Sequence, residues 1–339
     1  MSYPRKIMIK GNVLLVTSRM EEGLPMVMNR FMNLIIWSVL AKARLLYKAK
    51  VCHFLFMGNH FHMIVVVEEG EEVSNFIGYV KSEIAHAINQ LLGRKKKTIW
   101  ESGYDSPVLL TYEDVIRYVK YIYNNPVRAN LLKSINHYKG VSSWNMFISG
   151  QEEKLCRIIS RSAIFELEEN LKKESIGRLE EKKVLEQLLL TSKKERGFKI
   201  FPDAWMDCFE ETRDLTEEER QDLNRRIMED IEKEEVELSR AREEKGEGVL
   251  GVERLSRKPI QESHTPKKGG CRMICLSMNK GLRSLFIQCY RSLCETARSI
   301  YEVCKAGEVK DYNNLDFPGG LFPPNLIFFQ QTVEMRGYV

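Results

Sequence analysis

VCHFLFMGNHFHMIVVV, residues 51–67, is the stretch on which the reading of this chain turns. Two apolar runs, 51–57 and 60–67, flank Gly58-Asn59, and a short polar turn between β-rich runs predicts an antiparallel hairpin. His60 and His62 are two residues apart, so on a strand both imidazoles leave the same face while Phe61 points to the other. A same-face pair supplies two nitrogen ligands for one metal ion and leaves room for a third protein ligand, substrate oxygens and water. The plainer reading is that each histidine packs or caps at the start of an apolar strand, and a lone histidine would be read that way.

Outward from the hairpin, NVLLVTS at 12–18 predicts a strand, and the spacing of Met28, Phe31, Met32, Ile35, Leu40 and Leu45 predicts a helix from Pro25 to about Lys48. A second helix is predicted from Ser74, as N-cap, to Gly93. SPVLLT at 106–111 predicts another strand. Tyr112 to Asn125 has helical periodicity, which Pro126 should end. The order βαββαβα defines an α+β domain over residues 1–150, an antiparallel sheet with helices of ferredoxin-like or RRM-like type. On the last of these helices Tyr121 and Asn125 are four apart and share a face, so a phenol and an amide carbonyl can reach one metal ion from one side. Tyrosine is a covalent nucleophile, and a cation near a phosphate assists both attack and departure. Packing competes with this reading, because Tyr118, Tyr121 and Tyr123 also suit the buried face of a helix and Asn125 a turn before proline.

Charge divides the 339-residue chain into three parts. Residues 1–150 carry 19 Lys/Arg against 11 Asp/Glu, residues 151–250 carry 20 against 28, and the remainder 13 against 8. A basic first part favours a polyanion such as nucleic acid, although the run Arg94-Lys95-Lys96-Lys97 is also what an ordinary solvated loop looks like. Hydrophobic residues make up 43%, enough for a real core and too many for wholesale disorder. The longest apolar stretch, Phe31 to Leu40, is interrupted by Asn33 and too short for a bilayer. MSYPRKIMIKGN lacks an apolar leader, so a cytoplasmic location and no membrane partner are expected. The eight cysteines are irregularly spaced and read as reduced thiols. Neither Cys271/Cys275 nor Cys289/Cys294 has the knuckle spacing of structural zinc.

Residues 151–250 read as a charged helical arm or small bundle, with helices at Leu179–Leu190 and Thr216–Lys245. Gly246–Gly251 and Arg257–Gly270 read as linkers. The third part, 251–339, reads as mainly helical, with a helix over Leu282–Ala306. It ends in DFPGGLFPPNLIFF, 316–329, a segment that Pro318, Pro323 and Pro324 keep extended and whose aromatics should dock elsewhere.

CHFLFMGNHFHMIVVVE, followed by YVKYIYNNPVRANLL and HYKGVSSW, resembles the transposases of insertion sequences that carry a histidine-hydrophobe-histidine motif and a single tyrosine, and within them the REP-associated tyrosine transposases. The resemblance covers about residues 5–148. One departure is Gly58, where such proteins commonly carry proline. The resemblance implies that His60, His62 and Asn125 bind a divalent ion, Mg or Mn, and that Tyr121 attacks single-stranded DNA at hairpin-associated sites. It implies a 5′-phosphotyrosine link and a free 3′-hydroxyl. Tyr118 and Tyr123 are alternative nucleophiles, but Ile122 and Val127 stand where their amide partner should be. Arg5, Lys6, Lys10 and Arg94, Lys95, Lys96 and Lys97 are the candidate DNA contacts. A catalytically silent hairpin-binding regulator on the same fold is the alternative, and an interaction protein with core histidines the third. Oligomeric state stays open, a homodimer included.

Overall fold

The computed structural model of the protein describes residues 5–21, 29–95, 97–171, 178–256, 272–306 and 317–321. Strand β1 (Val13–Arg19) is followed by helix α1 (Arg30–Leu46), the hairpin β2 (Lys50–Phe56) and β3 (His60–Val66), α2 (Gly70–Leu91), β4 (Val108–Leu109) and α3 (Tyr112–Arg128). The sheet order is β2-β3-β1-β4 with β7 (Cys275–Leu276) added at the edge. The first four strands are antiparallel and in the ferredoxin-like order, and β7 runs parallel to β4. The βαββαβα reading therefore holds, and the fold is mixed α+β.

Three boundaries differ from the sequence reading. Helix α2 begins one turn early, with Glu69 at the N-cap and no side-chain cap bond; Ser74 lies inside it, its hydroxyl 3.2 Å from that of Tyr104. The glutamates Glu71 and Glu72 complement the helix dipole where a capping hydroxyl would have done so. Pro126 does not stop α3. The missing N–H removes a single intrahelical bond, and Ala129 N to Asn125 O and Leu131 N to Pro126 O, both 2.9 Å, carry the chain round another turn. The strand predicted at 106–111 shrinks to Val108–Leu109: Pro107 has no N–H for the ladder, although Leu15 and Thr17 of β1 still bond Pro107 O and Asp105, and Thr111 already caps α3.

Helix α3 covers one face of the sheet and α1 the other, where Trp37 meets Phe54 edge-on at 5.6 Å. The free edge of β2 is closed by the HYKGVSSW segment. Tyr138 donates to Phe56 O, Ser143 Oγ accepts from Phe54 N at 2.7 Å, and Ser142 bridges to Leu55. Covering an edge this way removes a template for aggregation. Short α4 (Trp144–Ser149) ends at Gly150, whose φ of 67° is the left-handed turn that glycine tolerates.

The middle segment is not an arm and not all helical. Strands β5 (Glu153–Arg157) and β6 (Glu195–Lys199) pair with each other and pack on α1, enclosing α5 (Arg161–Leu171) and α6 (Arg178–Thr191) between them in sequence. The polar run of β5, exposed at four of its five positions, hides it from a hydrophobicity search. Beyond short α7 (Glu210–Arg213), α8 (Glu217–Glu244) starts with a Thr216/Glu219 capping box and packs along α3. Gly246–Gly251 is docked: Leu250 N and Gly251 N donate to Asn130 O and Leu131 O before α9 (Val252–Ser256). Helix α10 spans Lys280–Lys305. The second predicted linker lies outside the described residues, as does the tail apart from 317–321. There Gly320 O accepts from Met8 N at 2.7 Å, and a Cβ on Gly320 would collide with Ile9. Buried apolar residues from Ile7 to Leu321 form one continuous core. No helix among the described residues is long and apolar enough to cross a membrane.

Candidate active site

His60 and His62 stand at the start of β3, a strand paired on both sides, where Arg19 and Thr17 of β1 lie opposite them. Their ring centroids are 4.9 Å apart. Phe61 points to the other face, against Phe56 and Trp100, as the two-residue period requires. The hairpin turn is closed by Met57 N donating to His60 O at 2.7 Å, and a Cβ at Gly58 would meet nothing within 4 Å. A side chain at this position therefore meets no steric obstacle.

Each imidazole is anchored through Nδ1. His60 Nδ1 lies 2.8 Å from Asn59 Oδ1, and because that oxygen only accepts, the proton sits on Nδ1 and Nε2 keeps its lone pair. His62 Nδ1 lies 2.8 Å from Thr17 Oγ1, while its Nε2 is buried with no hydrogen-bond partner. Burial, with Arg19 nearby, lowers His60 to about 4; burial, with His60 and Arg19 adding to it, holds His62 well below the ordinary imidazole range. Both rings are neutral at physiological pH, the state a metal ligand needs.

Helix α3 brings the other half. Thr111 caps it, accepting from Asp114 N at 3.3 Å, and Asp114 in turn accepts from Thr111 Oγ1 and, at 3.0 Å, from Met278 N. Tyr121 projects from it toward the sheet, its ring centroid 5.4 Å from that of His62. Both line a cavity of about 510 Å³, together with Leu15, Thr17, Asp105, Arg117, Tyr118, Lys120, Arg128, Glu234 and Arg272. Asn125 is half-buried one turn beyond Tyr121, and its Nδ2 is buried without a partner. Among the described residues no three His, Cys, Asp or Glu side chains cluster as a metal site.

Of the two competing tyrosines, one leaves the site and one shares it. Tyr123 is fully buried, its hydroxyl 2.9 Å from both His53 Nδ1 and Ser143 Oγ, and burial drives its pKa upward, so it serves the core. Tyr118 lines the cavity beside Tyr121, ring centroids 5.9 Å apart, and burial raises its pKa as well.

Arg5 and Lys6 lie in a recess that adjoins the cavity. The segment carrying Arg94, Lys95 and Lys97 returns to the sheet at Trp100, which bridges to Met20, next to the Arg19 that faces His60; Lys96 lies outside the described residues. Lys10 is at the opposite end of β1, beside Val67, and does not join the site. Of the cavity's own cations, Arg117, Lys120 and Arg128 were not singled out by the sequence reading, whereas Arg272 was, with Lys267, Lys268 and Arg283, as part of a DNA surface. The first three were legible: positions 117, 120, 121 and 128 recur on one side of a 3.6-residue helix, so the tyrosine's face is also a basic face.

Residues 25–125, which carry α1 to α3, both histidines, Tyr121 and Asn125, match the family model described as IS200-like transposase. The resemblance seen in the motifs is upheld over that segment. Among solved structures, a REP-associated tyrosine transposase bound to a REP hairpin is similar, at 21% identity and a TM-score of 0.39, over 44% of this chain and 86% of that one. No curated protein matches the chain.

Proposed function

We propose that this chain is a metal-dependent DNA transposase that cleaves and rejoins single-stranded DNA beside hairpins through a 5′-phosphotyrosine link. One observation carries the reading: His62, of the same-face pair, and Tyr121, 59 residues apart in sequence, meet across one cation-lined cavity. A packing role for His62 leaves its buried Nε2 unexplained, since a buried polar atom without a partner costs about 1–3 kcal/mol.

His60, His62 and Asn125 are the residues that would hold the divalent ion. The imidazoles fit: both are neutral, with Nδ1 anchored and Nε2 turned from that anchor, and Asn125 would add its amide Oδ1, since an amide nitrogen is no ligand. Imidazole nitrogen suits Mn better than Mg, which prefers oxygen. Bound there, such an ion supplies charge stabilisation for a phosphate in the cavity. Arg117, Lys120 and Arg128 hold the DNA backbone against α3. The Tyr121 oxygen forms a bond to phosphorus as the bond to the 3′ oxygen breaks, and the tyrosine proton ends on that oxygen. One phosphoester replaces another, so strand transfer to a new 3′-hydroxyl reverses the step without an energy source.

The test is an SDS-resistant protein–DNA adduct assay with Mn or Mg, using single-stranded oligonucleotides that span hairpins flanking the protein's own gene. An adduct formed by wild type and Tyr118→Phe but lost in Tyr121→Phe is expected. Hairpin binding without any adduct would replace this reading by the silent regulator.

A further inference from the structure

A second recess, of about 170 Å³, adjoins the active-site cavity and shares Asp105, Arg272 and Met273 with it. Arg5 and Lys6 also line it, and residues 103–106 form part of its wall. Lys6 Nζ sits 3.0 Å from the centroid of the Tyr104 ring. Arg272 donates to Ser102 O and places its Nε 2.8 Å from Asp105 Oδ1, while Lys81 donates to Gly103 O. Gly103 has a φ of +68°, and a Cβ there would press on the Arg272 guanidinium at 3.1 Å, so the loop needs glycine both for its turn and for the cation beside it.

Lys6, Lys81 and Arg272 thus crowd around one loop with Asp105 as the carboxylate among them. Burial comes first and mutual repulsion second in lowering Lys6 and Lys81 to about 8 each. Like charges gathered in a half-buried recess are stabilised by an anion of matching size. The room exceeds several waters at about 30 Å³ each.

We propose that the recess formed by Lys6, Arg272 and the Gly103–Tyr104 loop, with Lys81 bonded to that loop, is a second anion subsite that holds a backbone phosphate of the DNA strand leaving the Tyr121 cavity. The proposal rests on the DNA-processing reading above. The shared wall of Asp105 and Arg272 makes the path from one site to the other continuous. The subsite fixes the strand one or more nucleotides from the bond that is cut.

Binding of a hairpin oligonucleotide with a single-stranded extension, followed by fluorescence anisotropy over a salt series, tests this. Lys6→Gln should weaken binding severalfold and lower the log–log salt slope by about 0.7, the value for one phosphate contact on a single strand, whereas Lys81→Gln, which removes only the bond to the loop, should weaken binding with the slope kept. Lys6→Arg should restore the slope. A methylphosphonate at the contacted linkage should weaken wild type but leave Lys6→Gln unchanged. A wild-type slope in Lys6→Gln, with its melting temperature unaltered, would overturn the subsite. Inorganic pyrophosphate gives an independent reading through thermal stabilisation of wild type and Lys6→Arg but not Lys6→Gln. Pyrophosphate binding without DNA binding would keep the anion subsite and sink the transposase reading; DNA binding with wild-type slopes would do the reverse. Neither DNA nor pyrophosphate binding would overturn both.

Discussion

The two halves of the active site are held by different physics. The histidine half sits on β3, whose residues 60–66 are paired with β1 along the whole strand and with β2 on the other side. Backbone register alone sets where both imidazoles point, and the Thr17 and Asn59 contacts only fix their rotation. The tyrosine half sits on α3, which is clasped by side chains from sequence far downstream. Met278 N donates to Asp114 at its start. At its other end Arg242 donates to Val127 O at 3.2 Å and Asn130 Oδ1 at 3.0 Å, and just beyond it Glu235 accepts from Ile135 N at 2.6 Å. Lys120 and Arg128 pair with Asp230 and Glu234 of α8. A sheet register tolerates surface change, whereas a clasp of this kind ties the position of Tyr121 to the packing of α8.

The largest effect expected from breaking the clasp is at Ile231, fully buried on α8. Ile231→Ala should cost about 2–5 kcal/mol of stability, by lost transfer and cavity terms. Denaturant melts give the total, and hydrogen exchange should place the loss of protection in α3 and α8 while β1 and β3 keep theirs. Equal loss in β3 would mean that the two halves are not separable. On the histidine side, Thr17→Val keeps shape but removes the partner of His62 Nδ1. A supporting contact of this kind is worth about 10–100-fold in metal affinity or activity. The measurement is Mn dependence of adduct yield, with Tyr121 exposure unchanged.

That contrast also explains what the sequence made legible. The hairpin, the histidine face and the Tyr121/Asn125 pair are read from periods of 2 and 3.6 residues, because strand and helix geometry are local. Pro126 and Ser74 misled for a related reason: a helix boundary depends on which backbone groups find partners, and α3 finds them past the proline while α2 is started by Glu69, Glu71 and Glu72. The clasp was illegible. Asp230, Glu234 and Arg242 look like any solvated face of a charged helix, and only the packing of α8 on α3, more than 100 positions away, gives them a target. HYKGVSSW lies between these cases, recognisable as a motif before its hydrogen bonds to β2 gave it a reason.

Acid should attack the histidine half. His53, buried against Tyr123 and Phe147, is lowered by burial to about 3, and His60 to about 4. The unfolded chain takes up these protons near pH 6.5 and the native state does not, so stability is full above that value and falls as pH drops toward the native pKa values. Each such histidine contributes about 1 kcal/mol per pH unit in that window. Urea titrations at pH 7, 6 and 5 should show the fall, and His53→Gln should reduce its slope by one histidine's share. An unchanged slope would mean that His53 is already charged in the native state.

The smallest effect tests whether the α8 carboxylates position the basic face of α3 or merely sit on it. Lys120 Nζ lies 3.1 Å from Asp230 Oδ2 with both side chains partly in solvent, so a double-mutant cycle with Lys120→Met and Asp230→Asn should return a coupling of about 0.2–1 kcal/mol in stability. DNA affinity then decides the role. A lysine already paired presents less net charge to a phosphate, so Asp230→Asn alone should tighten hairpin binding by about twofold to fivefold, within that same energy range. The gain should vanish when Lys120→Met is added. Weaker binding in Asp230→Asn would mean instead that the carboxylate holds the ammonium in place for the DNA, which would extend the clasp from Tyr121 to the basic face beside it.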